Sequence, residues 1–103
     1  MKYFITESQL DRAVFRYLNN QDFIKIKKGN TLYLVNSERD EQAQIRYDKD
    51  DGWCATNKTL FNEISSLFSL EYSDSKDVIS RWVENTLQMK VTSNRVSPTI
   101  TVL

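Results

Sequence analysis

The strongest constraint on the fold is a pair of alternating segments within residues 23–35, which read F-I-K-I-K-K-G-N-T-L-Y-L-V. Side chains that alternate with a period of two are typical of a β-strand with two different faces. A short break that contains glycine, between two such segments, predicts a β-hairpin. The chain is therefore expected to fold around a sheet.

The length of the hairpin loop decides which side chains share a face, because a shift of one residue exchanges the two faces. A three-residue loop, 28–30, gathers four aliphatic residues on one face: Ile24, Ile26, Leu32 and Leu34. A two-residue Gly-Asn loop instead places both isoleucines with Tyr33 and Val35, and leaves the two leucines beside lysines. The sequence favours the three-residue loop, because that register makes one face wholly aliphatic.

The opposite face of this hairpin, with the adjoining Lys28, is the candidate contact surface: Phe23, Lys25, Lys27, Lys28 and Tyr33. Aromatic rings stack on nucleic-acid bases and lysines neutralise phosphates, so this surface suits a nucleic-acid binder. Lysines on a solvated strand face also prevent strands from pairing edge to edge, which requires no ligand. Lys plus Arg equal Asp plus Glu at 14 each, so the chain lacks the basic excess typical of phosphate-binding proteins.

Periodicity predicts the remaining elements. An apolar stripe through Leu10, Val14 and Leu18 predicts a helix over residues 6–19. Alternation predicts strands over 42–47, with Ala43 on the side of Ile45, and over 53–56. Helical periodicity returns after residue 57 and again over about 76–89, where the polar residues 73–75 form a break and Ser73 or Asp74 caps the last helix.

These elements predict an α+β fold. It has an antiparallel sheet of three to four strands, with an N-terminal helix and two C-terminal helices packed on one face. A chain of 103 residues suits one domain, which we place at residues 1–90. The β-branched tail, 91–103, either adds a strand or remains loose.

The absence of histidine is the firmest functional constraint. Without histidine, this chain has no Ser-His-Asp or Cys-His nucleophilic site and no imidazole metal ligand. One cysteine, Cys54, rules out a cysteine-rich zinc site, and Gly29 and Gly52 stand too far apart for a phosphate-binding loop. We therefore expect no cofactor and no metal, and we expect acidic residues 48–51 to form a solvated turn.

Two residues have both a structural and a functional interpretation. Cys54 is either a reactive thiol or, as its surroundings favour, a small buried hydrophobe. Trp82 is either an anchor for a partner or, as its place in an unbroken apolar stripe favours, a core residue.

The order helix, three strands, helix resembles the double-stranded RNA-binding domain, which implies RNA binding. That family has a basic start to its last helix, whereas this chain reads Asp74-Ser75-Lys76-Asp77. The segments Ile5–Gln9 and Val78–Glu84 resemble stretches of small uncharacterised proteins from marine phages and ocean metagenomes. This second resemblance implies a viral or bacterial accessory protein, without an activity.

The sequence favours a small non-enzymatic protein-interaction module, with a protein partner or a second copy of itself as ligand. A weak nucleic-acid-binding domain is the first alternative, and a small carboxylate-based enzyme is the second. No apolar segment approaches the roughly 20 residues of a membrane span, and no signal-peptide pattern begins the chain. We therefore expect no membrane association and a cytoplasmic location.

Overall fold

The computed structural model describes residues 7–102 and contains a five-stranded sheet with three helices. The elements follow the chain in this order: α1 (Glu7–Asn19), β1 (Ile24–Lys28), β2 (Thr31–Val35), β3 (Ile45–Asp48), β4 (Trp53–Asn57), α2 (Lys58–Leu67), α3 (Tyr72–Leu87) and β5 (Ser93–Ser97). The predicted α+β class is confirmed, with one N-terminal and two C-terminal helices. The sheet has at least one strand more than predicted.

The strands lie in the order β1-β2-β3-β4-β5. The first three pairings are antiparallel, and β5 pairs with β4 in parallel. A parallel neighbour requires a crossover connection, which α2 and α3 provide here. The tail thus adds a strand, at residues 93–97.

The predicted register of the first hairpin is wrong. Lys28 pairs with Thr31 and Ile26 pairs with Tyr33, so the loop has two residues. Gly29, the first loop residue, has a φ of +61° and Asn30 has no positive φ, as in the type II′ turns that suit two-residue hairpins. A wholly aliphatic face is not required, because each face of this sheet contributes apolar residues to a core.

The larger core lies between the sheet and the helices. It contains Leu32, Leu34, Ile45, Tyr47 and Cys54 from the sheet, Val14 and Leu18 from α1, Leu60, Phe61 and Ile64 from α2, and Val78, Ile79, Trp82, Val83 and Leu87 from α3. We call this face of the sheet the helix face. Apolar residues of all three helices therefore face this core, although Leu67, which the periodicity of α2 places with Leu60 and Ile64, is 60% exposed.

A smaller core lies on the opposite face, which we call the outer face. Its buried members are Tyr33, Val35, Ala43, Ala55 and Ile100. Residues 98–102 cover this cluster: the amide of Ala43 donates to the carbonyl of Ile100 at 2.7 Å, and the amide of Val102 donates to the carbonyl of Glu41 at 2.9 Å. Ala43 thus lies on the face opposite Ile45, contrary to prediction.

Helix α3 begins at Tyr72, four residues earlier than predicted, and Glu71 is its N-cap without a side-chain hydrogen bond. The predicted polar break at 73–75 and its capping roles for Ser73 or Asp74 are therefore wrong. Ser75 is fully buried, and its hydroxyl shares a 2.7 Å hydrogen bond with the hydroxyl of Ser65 in α2. Because this hydrogen bond compensates burial of the Ser75 hydroxyl, a polar residue can lie on the buried side of the first turn of α3.

Helices α1 and α3 are joined by two polar contacts beside the larger core. The Arg81 guanidinium donates two 2.8 Å hydrogen bonds to the Asp11 carboxylate. The indole Nε1 of Trp82 donates to Oδ1 of Asn19 at 3.0 Å. Trp82 is 3% exposed, which confirms its prediction as a core residue. Within residues 7–102, no helix combines the length and apolar character needed to span a membrane.

Candidate functional site

The five residues of the predicted contact surface do not share a face. Tyr33 is 2% exposed and belongs to the core of the outer face, beneath residues 98–102. Lys28 lies at an outer-face position of β1, because it alternates with Ile24 and Ile26. Phe23 packs against the helix-face core, with its ring 5.9 Å from that of Trp82 in an edge arrangement. The prediction of one contact surface made of all five residues is therefore wrong.

Three of the five residues do remain together on the helix side of β1. Phe23 is half-buried, whereas Lys25 and Lys27 are exposed. Within the described part of the chain, β1 pairs only with β2 and is therefore an edge strand. In an antiparallel pair, alternate backbone groups of such a strand point away from its neighbour and are open to another strand.

A third lysine, Lys49, joins this row from the end of β3. Its backbone amide donates to the carbonyl of Asn30 at 2.9 Å, which holds it against the hairpin loop. Repulsion from Lys27, and more weakly from Lys25, lowers the pKa of Lys49 below its ordinary value. None of the three forms an ion pair with another described residue. We call Lys25, Lys27 and Lys49 the lysine cluster.

A cavity of about 280 Å³, with polar walls at Asn19, Asp22 and Thr86, lies beside the lysine cluster between β1 and α3. Its apolar walls come from Leu18, Phe23, Leu34, Trp82 and Leu87. Lys25 also lines this cavity, so an ammonium group adjoins an apolar space. Apolar walls with a few polar groups are the usual composition of a binding pocket.

A second candidate surface crosses β3, β4 and β5 on the outer face. The register places Arg46, Ala55 and Arg95 in one row across the three strands. Cavities of about 300 Å³ and 220 Å³ flank this row, and all three residues line both. Trp53, which is 54% exposed, lines the larger cavity. We call this surface the outer groove.

Sequence reasoning missed the outer groove. The alternation of residues 42–47 already separated Arg46 from Ile45 and Tyr47, which was a signal for an outward arginine. No local pattern, however, joins Arg46 to Arg95. Their juxtaposition depends on the parallel pairing of β4 with β5, because the two arginines are separated in sequence by almost half the chain.

The carboxylates of the acidic turn between β3 and β4 accept hydrogen bonds from nearby residues and so stabilise the turn. Asp48 accepts hydrogen bonds from Thr31 and Arg46, Asp50 accepts from Asn30, and Asp51 accepts from the amide of Trp53. Among residues 7–102, no three His, Cys, Asp or Glu side chains are grouped to hold a metal ion. The carboxylate-based enzyme stays a prediction.

Cys54 is 3% exposed and lies on the helix face of β4, which confirms the prediction of a small buried hydrophobe. Burial raises the pKa of its thiol from the ordinary value of 9.0 to about 12. Because the thiolate is the nucleophilic form, a thiol that stays protonated in a dry core is unreactive.

We expect the free energy of unfolding to fall as the pH rises from about 9 to about 12. In this range the unfolded thiol ionises while the native thiol keeps its proton, so the native state binds more protons. The contribution of the protonated Cys54 thiol to the free energy of unfolding is fully present below pH 9. Denaturant titrations across this range should show a shallower decline for Cys54→Ala, in which the raised pKa values of Tyr17 and Tyr47 still contribute. An equal decline in both proteins would contradict the assignment.

No protein-family model, curated protein or solved structure matches this chain. The resemblances to the double-stranded RNA-binding domain and to phage proteins therefore stay predictions. The geometry of the lysine cluster and of the outer groove is what bears on function.

Proposed function

We propose that this protein is a small, non-enzymatic interaction module that binds an acidic, extended segment of a partner protein along β1. The observation that carries the proposal is the lysine cluster: three ammonium groups, without a carboxylate partner among residues 7–102, lie beside an edge strand. Like charges held together without neutralisation favour an anionic partner.

The edge of β1 supports binding of an extended segment rather than of a compact surface. A partner strand that pairs with the open backbone groups of β1 gains main-chain hydrogen bonds, as in β-augmentation. Its side chains then alternate between the two faces of the sheet. Residues of the partner on the helix side lie next to Lys25 and Lys27, so carboxylates there are favoured.

The cavity beside Lys25 supports an apolar anchor in the same segment. Leucines and aromatic residues form the apolar part of its walls, beside the polar residues Asn19, Asp22 and Thr86, and its volume of about 280 Å³ accommodates one apolar side chain. An acidic segment with one large apolar residue therefore matches both the charge and the shape of this edge.

A second copy of the chain is a poor partner for β1. Antiparallel pairing of two β1 strands would set lysines of one copy opposite lysines of the other, which is destabilising. We therefore propose a heterologous protein partner and a monomeric free protein. A cytoplasmic location belongs to the same proposal, supported by a single buried thiol that needs no oxidising compartment.

The test measures binding of a labelled octapeptide of alternating Glu and Val residues by fluorescence anisotropy. We expect Lys25→Glu/Lys27→Glu to lower the affinity about tenfold or more, because two attractive contacts become repulsive. Lys58→Glu is the control: it reverses one exposed lysine at the start of α2, beyond β4, and so makes half the charge change of the double variant at a site three strands away. It should leave the affinity unchanged.

Two outcomes would overturn the proposal. One is equal peptide affinity in the double variant and in the Lys58→Glu control. The other is tighter, salt-dependent binding of single-stranded DNA or RNA at the same lysines, which would favour the nucleic-acid alternative. Light scattering of the free protein should give the monomer mass at all concentrations.

A further inference from the structure

Arginine side chains on both sides of a small residue form the centre of the outer groove. Adjacent strands lie about 4.8 Å apart, so the Cα atoms of Arg46 and Arg95, two strands apart, are separated by about 10 Å. Ala55 lies between them and is 9% exposed, and the two cavities that flank the row form the space beside its methyl group. Two guanidinium groups can therefore reach one small anion in this space.

The two arginines have unused hydrogen-bond donors. The Arg95 side chain is exposed and makes no hydrogen bond or ion pair with residues 7–102. Arg46 uses only Nε, which donates to Oδ1 of Asp48 at 3.2 Å, and its guanidinium lies 5.9 Å from the centre of the Tyr33 ring. Asp48 and Tyr33 thus hold Arg46 in place while its two Nη groups remain free to bind. Arginine donors of this kind bind phosphate in a bidentate manner.

Trp53 places an aromatic ring at one end of the same groove. It alternates with Ala55 along β4, so its indole lies on the outer face with the two arginines. Its side chain is 54% exposed, whereas Trp82 is buried in the larger core. An exposed indole beside cationic groups is a stacking surface for a planar ring.

We propose that the outer groove binds one nucleotide unit, with its phosphate between Arg46 and Arg95 and its base on Trp53. The larger cavity, about 300 Å³, adjoins both arginines and Trp53. That volume lies at the lower end of the range for small-molecule sites and matches a small ligand. Phosphate and planar ring, joined in one molecule, satisfy both features of the groove together.

The acidic residues of the groove favour a single nucleotide over a long strand. Asp48 and Asp51 line the larger cavity on the side of Trp53. Their carboxylates repel further phosphates, yet they can accept hydrogen bonds from the amino groups of a base. The nucleotide is therefore either free or at the end of a strand, and the test distinguishes these two sources.

The test measures binding of AMP by calorimetry and by quenching of Trp53 fluorescence. We expect AMP to bind at least about tenfold more tightly than adenosine or inorganic phosphate, because each lacks one of the two contacts. Arg95→Ala and Trp53→Ala should each lower the AMP affinity about tenfold, and Trp53→Phe should lower it less. Arg12→Ala, which removes an exposed arginine of α1, should have no effect.

Oligonucleotides identify the source of the nucleotide. Binding of a 5′-phosphorylated tetra-adenylate with the affinity of AMP supports a strand end, and binding of AMP alone supports the free nucleotide. Equal binding of the unphosphorylated tetramer would overturn the proposal, as would absence of saturable AMP binding at millimolar concentration. Equal AMP affinity in Arg95→Ala and Arg12→Ala would also overturn it. Arg95→Ala should still bind the acidic octapeptide, so the proposal for the outer groove and the proposal for β1 are tested independently.

Discussion

Replacement of Trp82 by alanine should lower the free energy of unfolding by about 3–5 kcal/mol, the range for loss of a large buried aromatic side chain. Trp82 is 3% exposed in the larger core, where α3 faces the sheet. The substitution removes its contact with the Phe23 ring and leaves Oδ1 of Asn19 without the indole donor. Urea denaturation followed by circular dichroism measures the change.

The second tryptophan of the chain provides the control. Trp53→Ala removes the same side chain from a position that is 54% exposed, and should change the free energy of unfolding by about 0.5 kcal/mol or less. Trp82→Phe retains most of the apolar area but loses the hydrogen bond, and should cost about 1–2 kcal/mol. Equal destabilisation by Trp82→Ala and Trp53→Ala would contradict the placement of Trp82 in the core.

Replacement of Gly52 by alanine should lower the free energy of unfolding by about 2–4 kcal/mol. Its φ of +75° is unfavourable for residues with a Cβ atom, at about 1–2 kcal/mol. An added Cβ would also lie 2.9 Å from the carbonyl oxygen of Lys90 and 3.1 Å from the hydroxyl of Thr92. Lys90 and Thr92 directly precede β5, so the clash must displace the segment that leads into that strand.

Substitution of Gly29 distinguishes the effect of a positive φ from the effect of a steric clash. Gly29 has a φ of +61°, but an added Cβ would have no atom within 4 Å. Gly29→Ala should therefore show only the conformational effect, about 1–2 kcal/mol. The difference between the two variants measures the close approach at Gly52, and hydrogen exchange should show faster opening of β5 in Gly52→Ala alone. The close approach would have no energetic role if both variants lost the same free energy of unfolding and the amides of β5 exchanged at the same rate in both.

Much of the fold was predictable because it depends on local periodicity. The stripe through Val14 and Leu18 predicted α1, and both residues are buried. The alternation of residues 23–35 predicted the first hairpin. The start of α3 was missed because its polar first turn includes Ser75, whose burial depends on a hydroxyl partner in another helix.

The candidate sites were predictable only in part. Lys25 and Lys27 were recognised as exposed strand residues, and they remain together beside Phe23. The assignment of Tyr33 to the same surface failed with the register. Position Gly29 did carry a signal for the correct loop, since glycine at the first of two loop positions favours a type II′ turn.

The sequence by itself determined the existence and order of the helices and of the first four strands, because these follow from side-chain spacing along one segment. Tertiary structure decided which faces are covered and which charges meet. Residues 98–102 bury Tyr33, Lys49 comes beside Lys27, and parallel pairing brings Arg95 into the row of Arg46. Each of these contacts joins segments distant in sequence, where burial and charge depend on how whole elements pack rather than on local pattern.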